Sequence, residues 1–317
     1  VKLKSMRLPK KSGGFRYVAC PPPLLKAYLR DWVPYLNVVA EIHDRHRVSH
    51  GFVPGRSPVT NAKEHIGFQW TLSVDIADFF DKIGYSEGFR VPEWRFKYLE
   101  YIPRCSYVYR DRFGLSIDSV EAFGSLGRKY RELGSTCVTQ QGMPTSPAIA
   151  NILMSGADEE IVRIVKNAEY VYPTQRGPVV YTRYADDLTF SANHKCQLAN
   201  VLQFLPCILA SKGLELNERK TEWMCARRGR RIITGVAVDD VNVYPSRKVK
   251  RRLRAARHQG NKDQINGLAE WAKLKEPSRD KYIDRVRKLV HDRILNKDRS
   301  DEDISRMRAS LALMEMR

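Results

Sequence analysis

The clearest pattern in the chain is an alternation of apolar and polar positions over WTLSVDIADFF, residues 70–80. Leu72, Val74 and Ile76 fall on one face, and Thr71, Ser73 and Asp75 on the other. That two-residue period predicts a half-buried strand with a carboxylate on its polar side. A second strand-like run, YTRYADDLTF at 181–190, holds two adjacent aspartates, Asp186 and Asp187. Burying an unpaired carboxylate in a strand costs on the order of several kcal/mol. The pair therefore predicts a hairpin whose tip meets water or a cation.

Periodicity changes to helical in the flanking segments. TSPAIANILMSGADEEIVRIV predicts a helix with Ser146 as N-cap and Pro147 at its first position. CQLANVLQFLPCILASKG predicts an amphipathic helix closed by Gly213. PPPLLKAYLRDWVPYL predicts a short helix opened by prolines, and RIITGVAV a final strand. The order strand, helix, hairpin, helix, strand resembles a ferredoxin-like split βαβ sheet, an α+β class. Beyond Pro245 the pattern predicts helices only: one from Ser246 to Gly260, one reaching Pro277, one after Ser278, and a last one boxed by Ser300 and Asp303. Residues 92–136 mix aromatics with Arg104, Arg110, Arg112, Arg128, Lys129 and Arg131, and yield no clear elements.

Charge sharpens the picture. Lys plus Arg number 55 against 36 Asp plus Glu, a net charge of +19. Such a surplus points to a polyanionic partner, most often nucleic acid. The last 72 residues hold 21 Lys or Arg against 11 Asp or Glu, just over half of the surplus. They form a basic helical module. Six scattered cysteines lack a C-x-x-C pair, so neither a zinc site nor a disulfide framework is indicated, and a reducing cytosol is expected. His46 and His50 in HDRHRVSH lack the glutamate of a metalloprotease motif and are expected at the surface or on phosphate. No apolar run approaches the roughly 20 residues of a membrane helix. The start, VKLKSMRLPKKSGG, has neither an initiator Met nor the apolar stretch of a signal peptide.

The acidic residues and one loop carry the candidate chemistry. An Asp-Asp pair in isolation suits an exposed turn equally well. With Asp75 on a neighbouring strand, three carboxylates would meet at one sheet edge and repel one another unless a divalent cation sits among them. Mg²⁺ suits such an oxygen-only site. Two such ions about 4 Å apart can activate a 3′-hydroxyl and stabilise leaving pyrophosphate. QQGMPTSP places Gly142 and Pro144 in a tight turn before a helix N-terminus, where free N–H groups can meet a nucleotide.

These motifs, in this order, resemble reverse transcriptases along nearly the whole chain. VDIADFF resembles the first palm motif, which implies Asp75 as metal ligand, Ile76 as a carbonyl ligand and Phe80 as the aromatic that excludes a ribose 2′-OH. YADD resembles the signature box, which implies Asp186 and Asp187 as catalytic metal ligands. QQGMPTSP resembles the Q-G-x-P-x-S-P loop, putting Gln141 and Gly142 by the nucleotide and template. Lys220 in GLELNERKT matches a lysine near the pyrophosphate, and Arg16 with Lys10 or Lys11 resembles the fingers residues that hold the triphosphate. The resemblance implies a right-hand polymerase: fingers over 1–68, palm over 69–240 with part of 92–136 lent to the fingers, and a basic helical thumb over 245–317.

Two shorter stretches resemble bacterial retron reverse transcriptases. NAKEH (Asn61, Ala62, His65) is similar to their N-A-x-x-H element, and ITG (Ile233, Thr234, Gly235) to their V-T-G element, with Ile for Val. The resemblance implies RNA contacts from Asn61, His65 and, in the thumb, Lys248, Arg251, Arg252, Arg254 and Arg257. It implies Mg²⁺ (Mn²⁺ as an in vitro substitute), dNTPs and a cognate structured non-coding RNA as template and primer. It further implies a 2′-OH start, an RNA–DNA product, a separate effector protein in phage defence, and a bacterial cytoplasmic setting without membrane. Retron enzymes usually carry additional helices ahead of the point where this sequence starts, and the absence of an RNase H, endonuclease or protease segment after the thumb-like module is as expected for them. Group II intron or diversity-generating reverse transcriptases, or a non-catalytic nucleic-acid-binding module, are the competing expectations.

Overall fold

The computed structural model describes residues 4–10, 13–86, 135–138, 141–170, 177–296 and 301–316. The basic aromatic stretch 92–134, Lys11 and Ser300 lie outside them. The chain begins with an antiparallel hairpin of β1 (Lys4–Pro9) and β2 (Phe15–Cys20), in register from Lys4 opposite Cys20 to Pro9 opposite Phe15. The helix α1 that follows spans Pro23–His43 and runs through Pro34. Its predicted shortness is thus corrected. Proline forfeits one helical hydrogen bond, but Leu25, Leu29, Trp32, Leu36, Val39 and Ala40 recur at helical spacing on both sides of it. All are buried against Met143, Ala148 and Ile152. Packing outweighs the local penalty.

The central sheet has the order β6-β7-β3-β8, formed by β3 (Trp70–Asp75), β6 (Val179–Tyr184), β7 (Asp187–Ala192) and β8 (Glu222–Cys225). Its pairings are antiparallel throughout. Between β3 and β6 comes helix α4 (Ser146–Ala168), and between β7 and β8 helix α5 (Lys195–Ala210); short elements α3 (Phe79–Lys82), β4 (Gly84–Ser86) and β5 (Ser135–Val138) precede α4. This is the split βαβ arrangement expected. Leu72 and Val74 of β3, with Ile76 just beyond it, join Leu188, Phe190, Ile161, Val165, Leu198 and Leu205 in the main core. Ser146 is the first residue of α4 rather than its cap, since Thr145 precedes it and no side chain caps the turn.

The sheet closes on β8, not on RIITGVAV. That segment splits into β9 (Arg231–Ile233) and β10 (Val236–Val238), which with β11 (Val243–Pro245) make a separate three-stranded sheet. The cause is local. Thr234 and Gly235 both take positive φ, +46° and +84°, the two-residue turn that folds strands into a hairpin. Four helices follow: α6 (Arg247–His258), α7 (Lys262–Ala272), α8 (Arg279–Asn296) and α9 (Asp301–Glu315). The last two return to α1, where Val38 packs with Val286, Val290, Met307 and Met314. Arg279 donates to both oxygens of Glu41 at 3.0 Å.

NAKEH and ITG meet inside the protein. The short helix α2 (Pro58–Lys63), capped by Ser57, buries Asn61 and Ala62 completely, and His65 just beyond it. Asn61 Nδ2 donates to Thr234 Oγ1 at 3.4 Å, and Ala62 packs with Ile233, Val236 and Val238. His65 bonds Ser191 Oγ through Nδ1 at 2.9 Å and Thr182 Oγ1 through Nε2 at 2.7 Å. Asn61 and His65 therefore present no side chain to an RNA, contrary to expectation. They join the small sheet to the central one. His50, expected at the surface, is buried too, and shares a 2.9 Å hydrogen bond with Thr60.

Burial, aided by the nearby charges of Arg231 and His50, holds the His65 imidazole down at about 3. An unfolded histidine titrates near 6.5, so below that pH the unfolded chain binds the extra proton. His65's contribution is complete above about pH 6.5 and is lost as pH falls toward 3. The expected slope is up to about 1.4 kcal/mol per pH unit from this residue. Denaturant unfolding at a series of pH values should show it, with a flatter slope in His65→Gln; equal slopes would contradict the buried neutral imidazole.

Candidate active site

The register of the central sheet sets Asp75, the last residue of β3, directly opposite Asp187, the first of β7. Asp186 occupies the turn between β6 and β7, with Ala185 in the left-handed region at φ +58°. The Ile76 amide donates to the Asp186 carbonyl at 3.0 Å. Ile76 thus ties the strand end to the turn. Three carboxylates from two chain segments come near one another where the two central strands end. Burial first, then repulsion from Asp186 and Asp75, pushes the Asp187 carboxyl up to about 6. Asp186 is raised as well, through burial and then the charge of Asp75.

Lys220 faces these acids. Its Nζ donates to both Asp75 oxygens at 2.9 Å, and Asn217 Nδ2 adds a bond to Oδ1 at 3.3 Å. The hydrogen bond to Asp75 raises the lysine's pKa. Among the described residues no three Asp, Glu, His or Cys side chains are gathered closely enough to hold a metal by themselves. The donor chemistry nonetheless fits a hard divalent cation. The site offers oxygen ligands whose mutual repulsion such an ion would relieve, and Mg²⁺ ordinarily takes few protein ligands and completes its shell with water and phosphate.

The other expected residues divide into two groups. Lys10, at the end of the first hairpin, donates to Asp78 at 2.9 Å and so reaches the loop after β3. Gln141 and Gly142 lie on the back of the same hairpin: the Ala19 amide donates to the Gln141 carbonyl at 2.7 Å. Gly142 has φ +97°, and a Cβ there would stand 2.2 Å from the Ala19 carbonyl. Phe80 is half-buried, edge-on to Phe79 at 5.3 Å and to Phe52 at 6.4 Å. Arg16, by contrast, is exposed on β2 and forms no ion pair with a described residue. Lys248, Arg251, Arg252, Arg254 and Arg257 are exposed along α6, again without acidic partners among the described residues.

Sequence reasoning missed Arg183, the residue three before Asp186. It is 1% exposed. Its Nε donates to both oxygens of Asp158 on α4 at 3.0 and 3.2 Å, and Nη2 to Oδ2 at 2.8 Å. Nη1 reaches Asn151 Oδ1 at 2.9 Å and the Ala185 carbonyl at 3.4 Å. The Tyr181 hydroxyl donates to the same Asp158 at 2.7 Å. The signal was available. A charge within a strand pattern demands a partner just as the aspartates do.

With this geometry in hand, similarity to known proteins can be placed on it. Residues 8–266 match the family described as reverse transcriptase (RNA-dependent DNA polymerase). The retron Mx65 reverse transcriptase of Myxococcus xanthus is 28% identical over 297 residues, covering 89% of this chain and 63% of its own. The retron Ec83 enzyme of Escherichia coli is 33% identical over 195 residues, 61% of this chain and 53% of its own. The retron Ec86 enzyme of the same organism is 29% identical over 268 residues, 81% and 69% respectively. The chain thus spans about half to two thirds of the length of these curated relatives.

Gly142→Ala is expected to push the loop off β2 and cost about 1–3 kcal/mol. Gly213→Ala, at φ +67° but with nothing within 4 Å of a Cβ, should cost only about 1–2 kcal/mol of backbone strain. Thermal melts of the two variants compare them. A larger loss at Gly213 would contradict the close contact at Gly142.

Proposed function

Since the chain belongs to the reverse transcriptase family, whose pattern it matches from residue 8 to 266, we propose that it is the RNA-directed DNA polymerase of a retron. The observation that carries this is the cross-strand pairing of Asp75 with Asp187, with Asp186 beside them in the β6–β7 turn. Right-hand polymerase architecture follows from the family and the sheet. Within it we assign fingers to 1–68, palm to 69–240 and a basic thumb to 245–317.

In this reading Asp75, Asp186, Asp187 and the Ile76 carbonyl hold divalent cations of the Mg²⁺ type. When bound, such ions activate the attacking hydroxyl and stabilise the pyrophosphate that leaves. The protein's own residues do the rest. Lys220 offsets the carboxylate charge before substrate arrives and then turns to the pyrophosphate oxygens. Lys10 and Arg16 take the triphosphate from the hairpin side, and Gln141 and Gly142 line the nucleotide and template. Phe80 excludes the ribose 2′-OH by overlap. The exposed cations of α6 track the nucleic-acid backbone.

Similarity to three retron enzymes supports the finer assignment. The template and primer are a cognate structured non-coding RNA, synthesis starts from a 2′-OH, and the product is single-stranded DNA joined to RNA. A separate effector completes a phage-defence system in the bacterial cytoplasm. Among the described residues no helix is long and apolar enough to cross a membrane.

Expressed with its native locus, the protein should co-purify with one discrete nucleic acid that DNase and RNase each shorten. Asp186→Asn should carry the RNA alone, since it removes a metal ligand and no phosphate contact. A heterogeneous pool of cellular RNA, without covalent DNA, would sink the retron assignment and leave the polymerase one standing.

Charge reversal at Arg251 and Arg254 should weaken binding of that RNA and flatten its salt dependence. Each lost phosphate contact lowers the slope of log K against log salt by roughly 0.7–0.9. Filter binding across a salt series measures this, and an unchanged slope would make α6 a merely solvated face.

A further inference from the structure

Phe52 combines two features that a fold normally avoids. Its backbone is left-handed, φ +61°, and the residue is 47% exposed. A bulky residue at positive φ is an outlier that persists only where its surroundings impose it. Here they do. The Arg183 amide donates to the Val48 carbonyl at 2.8 Å, and the His50 amide to the Arg183 carbonyl at 2.7 Å. Asn151 Nδ2 holds the Gly51 carbonyl at 2.9 Å. Gly51 lies so near the YADD turn that a Cβ would stand 2.5 Å from the Ala185 amide nitrogen. Phe52 is therefore planted on the catalytic hairpin by its neighbours.

Its ring points the same way. The centroid is 6.4 Å from that of Phe80, edge-on, and 6.4 Å from that of Tyr184 of the YADD box. Both distances are within the range of aromatic contact. A core role would bury the ring, and an exposed turn would favour glycine or asparagine at this φ. We propose that Phe52 is a specificity-determining residue of the nucleotide site. Its ring backs Phe80 and, with Tyr184, forms an apolar wall against which the sugar of the incoming nucleotide is placed. This rests on the polymerase reading and extends the sugar discrimination assigned to Phe80.

Steady-state incorporation of dNTP and rNTP on one primer–template tests it, in wild type, Phe52→Gly, Phe52→Leu, Phe80→Ala and the Phe52→Gly/Phe80→Ala double variant. Glycine accepts the left-handed backbone, so Phe52→Gly should melt no lower than wild type. Its ratio of kcat/KM for dNTP over rNTP should nevertheless fall about tenfold, with primer–template Kd unchanged. Phe52→Leu should fall between. On the Phe80→Ala background Phe52→Gly should add nothing, because the wall acts through the gate. An unaltered ratio, or a lowered melting temperature with dNTP and rNTP incorporation reduced alike, would overturn the proposal and leave Phe52 a packing residue. If wild type extends no primer on any template, the polymerase reading falls first, and this inference with it.

Discussion

A buried guanidinium is the constraint on which the rest depends. Taking Arg183 and Asp158 out of water carries a desolvation penalty that attraction alone does not repay without further hydrogen bonds. Those bonds are what organise the site. Three N–H···O contacts from Nε and Nη2 join Arg183 to Asp158 on α4, and the third nitrogen, Nη1, reaches Asn151 and the Ala185 carbonyl. Burial opposes the charge and Asp158 more than restores it, so the guanidinium is held above its ordinary pKa. Asn151 also accepts from Ser49 Oγ at 3.1 Å and donates to Gly51. One side chain thus fixes the helix behind the sheet, the 48–51 segment and the turn that carries Asp186. Removing either charge would strand the other, at a cost of about 3–5 kcal/mol.

That rigidity has a purpose visible in the electrostatics. Like charges directly opposite one another across an antiparallel pair are destabilising, yet Asp75 and Asp187 hold that register. Their repulsion is partly offset by Lys220, which bonds Asp75 from a largely exposed position. An exposed ammonium is a replaceable counter-charge. It stabilises the acids in the free protein and can yield them to stronger cations. Stability is thereby sacrificed locally at the carboxylates and supplied a few ångströms away by the Arg183 network.

How much of this was legible in the sequence follows from what each pattern encodes. Alternation over 70–80 located β3 and put Asp75 on its polar face, because a strand's period depends on one residue's neighbours alone. The hairpin at 184–187 was legible because buried carboxylates are costly in any fold. The length of α1 was not, since its passage through Pro34 depends on α4 and the C-terminal helices packing on its two sides. Nor was the burial of Asn61 and His65 in NAKEH. Polar residues at helical spacing look alike whether they meet water or Thr182, Ser191 and Thr234, and only the tertiary pairing decides. Phe52 could not be found at all, because its significance lies in a backbone angle imposed by Gly51 and Asn151.

The basic C-terminal module illustrates how one composition serves two ends. Its surplus charge reads as a single feature in the sequence, yet the structure spends it differently by helix. On α8, Arg279 bonds Glu41, and Arg293 lies 3.3 Å from Asp31, an aspartate only 2% exposed. These cations fasten the module to α1, where apolar contacts around Val38 already exclude water. Along α6 the acidic partners are missing among the described residues, and the side chains stand in solvent. Self-repulsion among seven lysines and arginines in one twelve-residue helix opposes folding, and nothing within the described chain relieves it. A polyanion would. Packing therefore anchors α8 and α9 without reference to a ligand, whereas the charge on α6 has no counter-charge from the described residues.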